Sequence, residues 1–412
     1  MDLNSNQENH NSHIDSKIDS NINQNNEEIE LIEEGLVKIA FPKFDKVSSK
    51  SPVFYNPKME FNRDISVLVL QVFQKHLNQE SFNIADLFSG SGIRGIRYKK
   101  EINGAKDIFL NDINPLAIEW AKFNTLENNV DLEFSQKDAN IFLRENRGLF
   151  DVIDIDPFGT PSFFLDSAAY AIKKNGILCV TATDTSALCG TYKEPSIRKY
   201  NALSYKSEYC HENGIRILAG FCALTLAKYK KYIEIKFSHS SEHYMRLYFL
   251  VKKASKATDD SLKKNIGHIS HCPQCLYRVT SVGLTSPVEE LCPICGEKMK
   301  MAGPLWIGKL GEREFIEDMI SEIDNKSLNT EKQILKLLNI SLDEVDAPTT
   351  FYDIHKISKN LKISAPKQDK VIEAIKDKGY ISVGTHFNLL GIKTDIDING
   401  LKEIVKNLSI DK

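Results

Sequence analysis

No run in the chain approaches the roughly 18 to 20 uninterrupted apolar residues that a membrane-spanning helix requires. The first residues also lack the basic-then-apolar order of a secretory leader. These absences exclude the membrane-spanning and exported classes and make a cytoplasmic location, with no membrane partner, the expectation. Charge of one sign is lacking as well: 53 lysines and arginines stand against 56 acids, a formal net charge of -3. Wholesale attraction to a polyanion is therefore excluded, although single segments can still carry a local excess. Apolar residues are nearly missing from positions 1–30, which hold seven acids, one lysine and eight asparagines. Such a segment has too little to bury and predicts a disordered tail.

Cysteine is sparse, and its placement excludes a disulfide framework in a cytosolic chain. Cys179, Cys189, Cys210 and Cys222 are scattered through stretches that read as core or loop. The other four form two pairs, Cys272-x2-Cys275 and Cys292-x2-Cys295, separated by sixteen residues. Each Cys-Pro-x-Cys turn can aim two sulfurs at one tetrahedral ion, so the pattern predicts a structural four-thiolate zinc site. A closed shell leaves no position for water, which argues against a catalytic metal. The neighbouring His271 reads as a surface residue.

What is present is apolar strand alternating with helix. Strands are expected at 82–88, 107–111, 132–135, 150–155 and 176–181, with an antiparallel pair at 232–238 and 244–251 on the sheet edge. This order predicts an α/β, doubly wound, Rossmann-like fold with an antiparallel edge strand. The amphipathic stretch from Ile65 to His76 should form a lead-in helix, with the loop before it lying over the sheet's carboxyl edge. At 412 residues, several domains are expected. They are a tail at 1–30, the α/β domain at 31–251, a zinc-ribbon-like insert at 252–303 and an α+β C-terminal domain at 304–412. Within the last, helices at 352–361 and 367–378 and a hairpin at 380–383 and 387–390 make a winged-helix-like pattern. Residues 351–393 carry eight lysines against four acids, a local excess suited to phosphate contact.

The chemistry is concentrated at strand ends. Asp86-Leu87-Phe88-Ser89-Gly90-Ser91-Gly92-Ile93-Arg94-Gly95 stands where a strand passes into a helix. Gly90 and Gly92 permit positive φ and close backbone approach, and Gly95 lets the helix lie near the sheet. Taken alone this is also a dinucleotide fingerprint, but the acids favour another ligand. Asp86 would repel a pyrophosphate, yet can hold bound water or an ammonium. Asp112, at the next strand end, can accept two ribose hydroxyls. Asp138, one unit further, can accept from an adenine amino group while the Ala139 amide donates to a ring nitrogen. Intervals of 26 and 26 residues bring all three to one sheet edge, where S-adenosylmethionine fits better than a nicotinamide dinucleotide.

The fourth strand ends in Asp156-Pro157-Phe158-Gly159. An amino group conjugated to a nucleobase ring is a poor nucleophile, because its lone pair is delocalised. The Asp156 carboxylate and the Pro157 carbonyl can accept its two hydrogens and turn the lone pair outward. Phe158 can stack on the base.

These motifs, with Asn62-Arg63-Asp64, Leu188-Cys189-Gly190, His211-Glu212, Gly303-Pro304-Leu305-Trp306 and Thr385-His386-Phe387, form an ordered series. It resembles the tRNA (guanine(26)-N(2))-dimethyltransferase family from about Val53 to Asp395. The resemblance implies S-adenosylmethionine-dependent dimethylation of a tRNA guanosine, with Arg63, Arg94, Asp112, Asp138 and Ala139 touching the cofactor and Asp156 at the reacting amine. A fixed Arg63 guanidinium suits the cofactor's carboxylate. The segment from Asp184 to Lys206, carrying Lys193, Arg198 and Lys199, is a candidate cover for the target base. The expected partner is tRNA; no obligate protein partner is evident, and a monomer is expected. The alternatives that share these residues are an adenine-N6 or cytosine-N4 methyltransferase and a catalytically inactive nucleic-acid-binding protein.

Overall fold

The computed structural model describes residues 29–43, 53, 55–77, 80–287 and 289–410; the expected tail lies outside them except for Ile29 and Glu30. Those two residues open β1 (Ile29–Glu34), which pairs antiparallel with β2 (Val37–Pro42). There follow α1 (Glu60–Leu77), β3 (Phe82–Asp86), α2 (Ile93–Glu101), β4 (Ala105–Asn111), α3 (Pro115–Glu127), β5 (Glu133–Ser135) and α4 (Ala139–Glu145). The α/β alternation closes with β6 (Val152–Ile155), α5 (Leu165–Ala171) and β7 (Ile177–Ala182). Three helices, α6 (Thr185–Leu188), α7 (Lys193–Tyr200) and α8 (Cys210–Ala227), lead to the hairpin β8 (Lys231–Ser241) and β9 (Tyr244–Lys253).

These strands form one seven-stranded sheet in the order β5-β4-β3-β6-β7-β9-β8. The first five run parallel, and β9 is antiparallel to both β7 and β8, so the expected edge pair is observed. All four residues of β6 and all six of β7 are buried, as a sheet covered on both faces demands. The chain leaves β3 first toward β4 and later returns to its other side at β6. That reversal opens a crevice beyond the carboxyl ends of β3 and β6. Gly95 brings α2 down onto the sheet: a Cβ there would lie 2.2 Å from Leu110 Cδ2.

The remaining elements are α9 (Ser255–Asn265), β10 (Ile266–His271), β11 (Arg278–Val282) and β12 (Lys300–Trp306), then α10 (Arg313–Glu322) and α11 (Glu331–Glu344). The chain ends with β13 (Tyr352–Asp353), α12 (Ile354–Leu361), α13 (Gln368–Asp377), β14 (Ser382–Thr385), β15 (Asn388–Thr394) and α14 (Ile398–Ile410). The cysteine region is richer in core residues than the sequence reading held. Ile266, Ile269, Ala302, Leu305 and Trp306 share one apolar cluster with the large sheet, and β12 runs across the expected boundary at 303. His271 is a correction: only 2% exposed, it packs against the rings of Tyr205 and Tyr209. Strand β10 turns it inward. The expected helix–helix–hairpin order is present, completed by β13 and α14. Seven of its eight lysines are exposed, whereas Lys393 is buried on Glu212 at 2.8 Å.

Candidate active site

A cleft of about 900 Å³ opens over the crevice at β3 and β6. Its walls include Arg63, Phe88, Ser89, Gly90, Arg94, Asp112, Asp156, Pro157 and Phe158, so the expected cofactor bend and the expected catalytic turn face one space. Gly90 and Gly92 have φ of 52° and 82°, the left-handed region that a side chain disfavours. That bend presents the Gly90 N–H to Asp112 Oδ2 at 3.0 Å, while Asp112 Oδ1 accepts from Asn114 N–H at 2.9 Å. Burial raises the Asp112 carboxyl above its usual range, opposed by those amides.

Asp86 lies beneath the bend rather than on the cleft wall. Burial, with Asp154 and Asp156 near it and Arg94 opposing, pushes its carboxyl up to about 7. Its Oδ2 is buried with no hydrogen-bond partner among the described residues, which fits an ammonium or water arriving from above.

Two expected cofactor residues sit differently. Asp138 caps α4, its Oδ1 accepting the Asn140 N–H at 2.9 Å and the Ile141 N–H at 3.3 Å. Ala139, in the first turn of α4, belongs to the main apolar core. Neither lines the cleft as it stands. Arg63 does reach it, but its Nε and Nη2 bind Glu34 of β1 at 2.5 Å each. The pair is buried, not a surface bridge: the side chains are 5% and 1% exposed.

At the other end, Asp156-Pro157-Phe158-Gly159 leaves β6 in a turn closed by Thr183. The Gly159 N–H donates to Thr183 Oγ1 at 2.7 Å, and the Thr183 N–H donates to the Gly159 carbonyl at 2.9 Å. Phe158 is 56% exposed at the mouth. Asp156 Oδ2 accepts from Arg94 Nη2. Arg94 is itself held by Asn62 Oδ1 at 3.0 Å and Ser66 Oγ at 3.1 Å.

Below this pair lies an ion network that the sequence reading missed. Asp154, on β6, accepts from Arg246 Nη1 at 2.8 Å, Arg246 Nη2 at 2.7 Å and the Tyr98 hydroxyl at 2.6 Å. Burial alone would raise the Asp154 carboxyl, but Arg246 and Arg94 outweigh it and hold it below the usual range. An acid inside an apolar strand, and an arginine inside another, were the available signal, since buried charges need partners. Glu242, His243 and Tyr244 also line the cleft. They sit at the β8–β9 turn, where Ser241 pairs with Tyr244 and leaves a two-residue loop. Over the expected cover, Lys199 and Tyr200 are tied to Asp184 at 3.0 and 2.6 Å, while Tyr192, Lys193 and Arg198 are exposed.

The four paired cysteines converge away from the cleft. Cys272 Sγ lies 3.4 Å from Cys295 Sγ, and Cys275 Sγ lies 3.4 Å from Cys292 Sγ. The two turns repeat one geometry. Leu276 and Gly296 have φ of 69° and 72° and donate to the carbonyls of Cys272 and Cys292 at 3.0 and 2.9 Å. Such matched knuckles aim four sulfurs at one point, a donor set that fits a tetrahedral soft cation.

The model of the family described as N2,N2-dimethylguanosine tRNA methyltransferase matches residues 35–406. The chain is similar to the tRNA (guanine(26)-N(2))-dimethyltransferase of Methanobrevibacter smithii, 61% identical over 92% of this chain and 98% of that protein. The enzyme of the same name from Methanothermobacter thermautotrophicus is 51% identical over 92% and 98%. Among solved structures, the complex of Trm1 from Pyrococcus horikoshii with S-adenosyl-L-methionine superposes with a TM-score of 0.82. It is 34% identical and covers 91% of this chain and 99% of that one.

Proposed function

This chain belongs to the N2,N2-dimethylguanosine tRNA methyltransferase family, and from that premise we propose how its cleft methylates the exocyclic N2 of the guanosine at tRNA position 26. The observation that carries the reading is that the glycine bend and Asp156 line one cleft. When bound, S-adenosylmethionine supplies a methyl group already activated by its sulfonium, so the protein's task is alignment and charge stabilisation.

Gly90 and Asp112 would hold the ribose, and Asp86 would take the ammonium through its unpartnered Oδ2. Arg63, anchored by Glu34, faces the carboxylate. Asp138 and Ala139 mark the adenine end; Asp138 can serve there while still capping α4, because a carboxylate offers more lone pairs than two amides use. Arg94 fixes Asp156 through Oδ2, which directs Oδ1 to one amine hydrogen, while the Pro157 carbonyl accepts the other. The nitrogen lone pair then points at the methyl group, and Phe158 stacks on the guanine. When bound, the donor would supply the methyl group for the new N–C bond and keep the electron pair of its S–C bond on sulfur. The nitrogen's surplus proton leaves by way of Asp156. Repeating the cycle after exchange of the donor gives the dimethylated base.

Cys272, Cys275, Cys292 and Cys295 are read as a structural zinc site, since four thiolates close the coordination shell. The seven exposed lysines at 351–393 supply phosphate contacts to the tRNA. The test is Asp156→Ala with unmodified tRNA, scored by nucleoside mass spectrometry. Turnover should fall by about 10²–10³-fold, with S-adenosylhomocysteine affinity retained. Methylation at the unaltered rate would remove Asp156 from the mechanism.

A further inference from the structure

Two motifs marked in the sequence, Leu188-Cys189-Gly190 and His211-Glu212, take no part in the cleft. The fold nevertheless brings their soft side chains together. Cys189 is the C-cap that follows α6, and Cys210 and His211 are the first two residues of α8. Cys189 Sγ, Cys210 Sγ and one His211 ring nitrogen all lie within 4.8 Å of one another. Cys189 Sγ stands 3.8 Å from His211 Nδ1, and Ser240 Oγ stands 3.4 Å from that same nitrogen.

The cysteine–histidine separation of 3.8 Å is compatible with a shared ion. A tetrahedral zinc with the usual bond lengths places two sulfurs about 3.8 Å apart, and a sulfur and a nitrogen about 3.6 Å apart. Consecutive helix residues point roughly 100° apart, so Cys210 and His211 reach a common partner only because they open the first turn of α8, against the end of α6. The set is unlike the paired cysteines in one respect. It offers two sulfurs and one nitrogen, with a hydroxyl beside them, in place of four sulfurs.

We propose that Cys189, Cys210 and His211 form a second zinc site, completed by Ser240 Oγ or water. Its ion fastens the two ends of the segment 189–210, whose middle is α7, with Tyr192 and Arg198 exposed. The assignment stands independently of the methyl-transfer reading, because it concerns metal content.

The experiment uses the full chain purified from zinc-supplemented cells, with metal measured by mass spectrometry. Cys210→Ser and His211→Asn should each lower zinc by one equivalent relative to the unaltered protein, whatever the four-cysteine site holds. Zinc X-ray absorption on the unaltered protein guards against variants that misfold. A shell averaging about three sulfurs and one nitrogen or oxygen is expected when both sites are filled. An all-sulfur shell, unchanged zinc in both variants, or a Cys189–Cys210 disulfide in peptides from the native protein would each overturn the proposal.

Discussion

The two ends of the cleft are built by different means. The end at the glycine bend is made from nearly consecutive backbone: the Asp86 to Gly95 bend, with Asp112 accepting its Gly90 amide at 3.0 Å. The end at Asp156 rests on charges that meet only in the fold, because Asp154 and Arg246 are 92 residues apart and both are fully buried. A bend of local geometry can lose one contact and keep its shape. A buried ion network cannot, because removing one member strands the others in a medium that does not solvate them. The same contrast separates the two thiol clusters. One is drawn from two four-residue turns, the other from the facing ends of two helices.

The contrast is sharpest in Asp154→Ala, which leaves Arg246 without its carboxylate and Arg94 without one of its two. A loss of about 3–5 kcal/mol in stability is expected by denaturant unfolding, together with loss of turnover as Arg94 ceases to position Asp156. A variant that unfolds at the unaltered denaturant concentration would show the network to be dispensable. At the glycine bend, Gly95→Ala forces a Cβ to within 2.2 Å of Leu110 Cδ2. Leu110 is fully buried and has little room to yield, so about 1–3 kcal/mol of overpacking should appear in the same measurement. S-adenosylhomocysteine should bind more weakly as the bend shifts. Full stability would mean that α2 lifts off the sheet without cost.

The smallest effect concerns protons. Burial pushes the Asp86 carboxyl up to about 7, so in the free enzyme it passes from neutral to charged across neutrality. An ammonium is held by the charged form. Affinity for S-adenosylhomocysteine should therefore rise with pH through about 7 and level off above it, before the ligand's own ammonium titrates. Asp86→Asn should flatten that rise in a calorimetric titration between pH 6 and 8. A profile that is identical in the two proteins would place the ammonium elsewhere.

Much of the site was legible because its signals are local. The strand-to-helix turn with its glycines, the acids at strand ends and the Asp-Pro-Phe-Gly exit each declare themselves within ten residues. The paired cysteines do so within four. The errors share a cause of their own. His271 read as a surface residue because nothing nearby in sequence marks the inward turn of β10, and Lys393 counted toward a basic surface although Glu212 buries it at 2.8 Å. Asp138 caps α4 and stands off the cleft wall, because an acid at a strand end serves equally well as a helix cap. Glu34 was missed altogether, because the β1–β2 hairpin gains its meaning only when Arg63 and Arg97 meet that carboxylate.

Sequence alone determined the order of strands and helices, the glycine bend, the Asp-Pro-Phe-Gly turn and the cysteine knuckles. Each depends on backbone preferences and side-chain spacing over one or two turns of chain. Tertiary structure alone decided which charges are buried and with whom: Glu34 with Arg63, Asp154 with Arg246, Arg94 with Asp156. Burying a charge is affordable only beside its partner, and partners tens of residues apart are chosen by packing, not by adjacency in the chain.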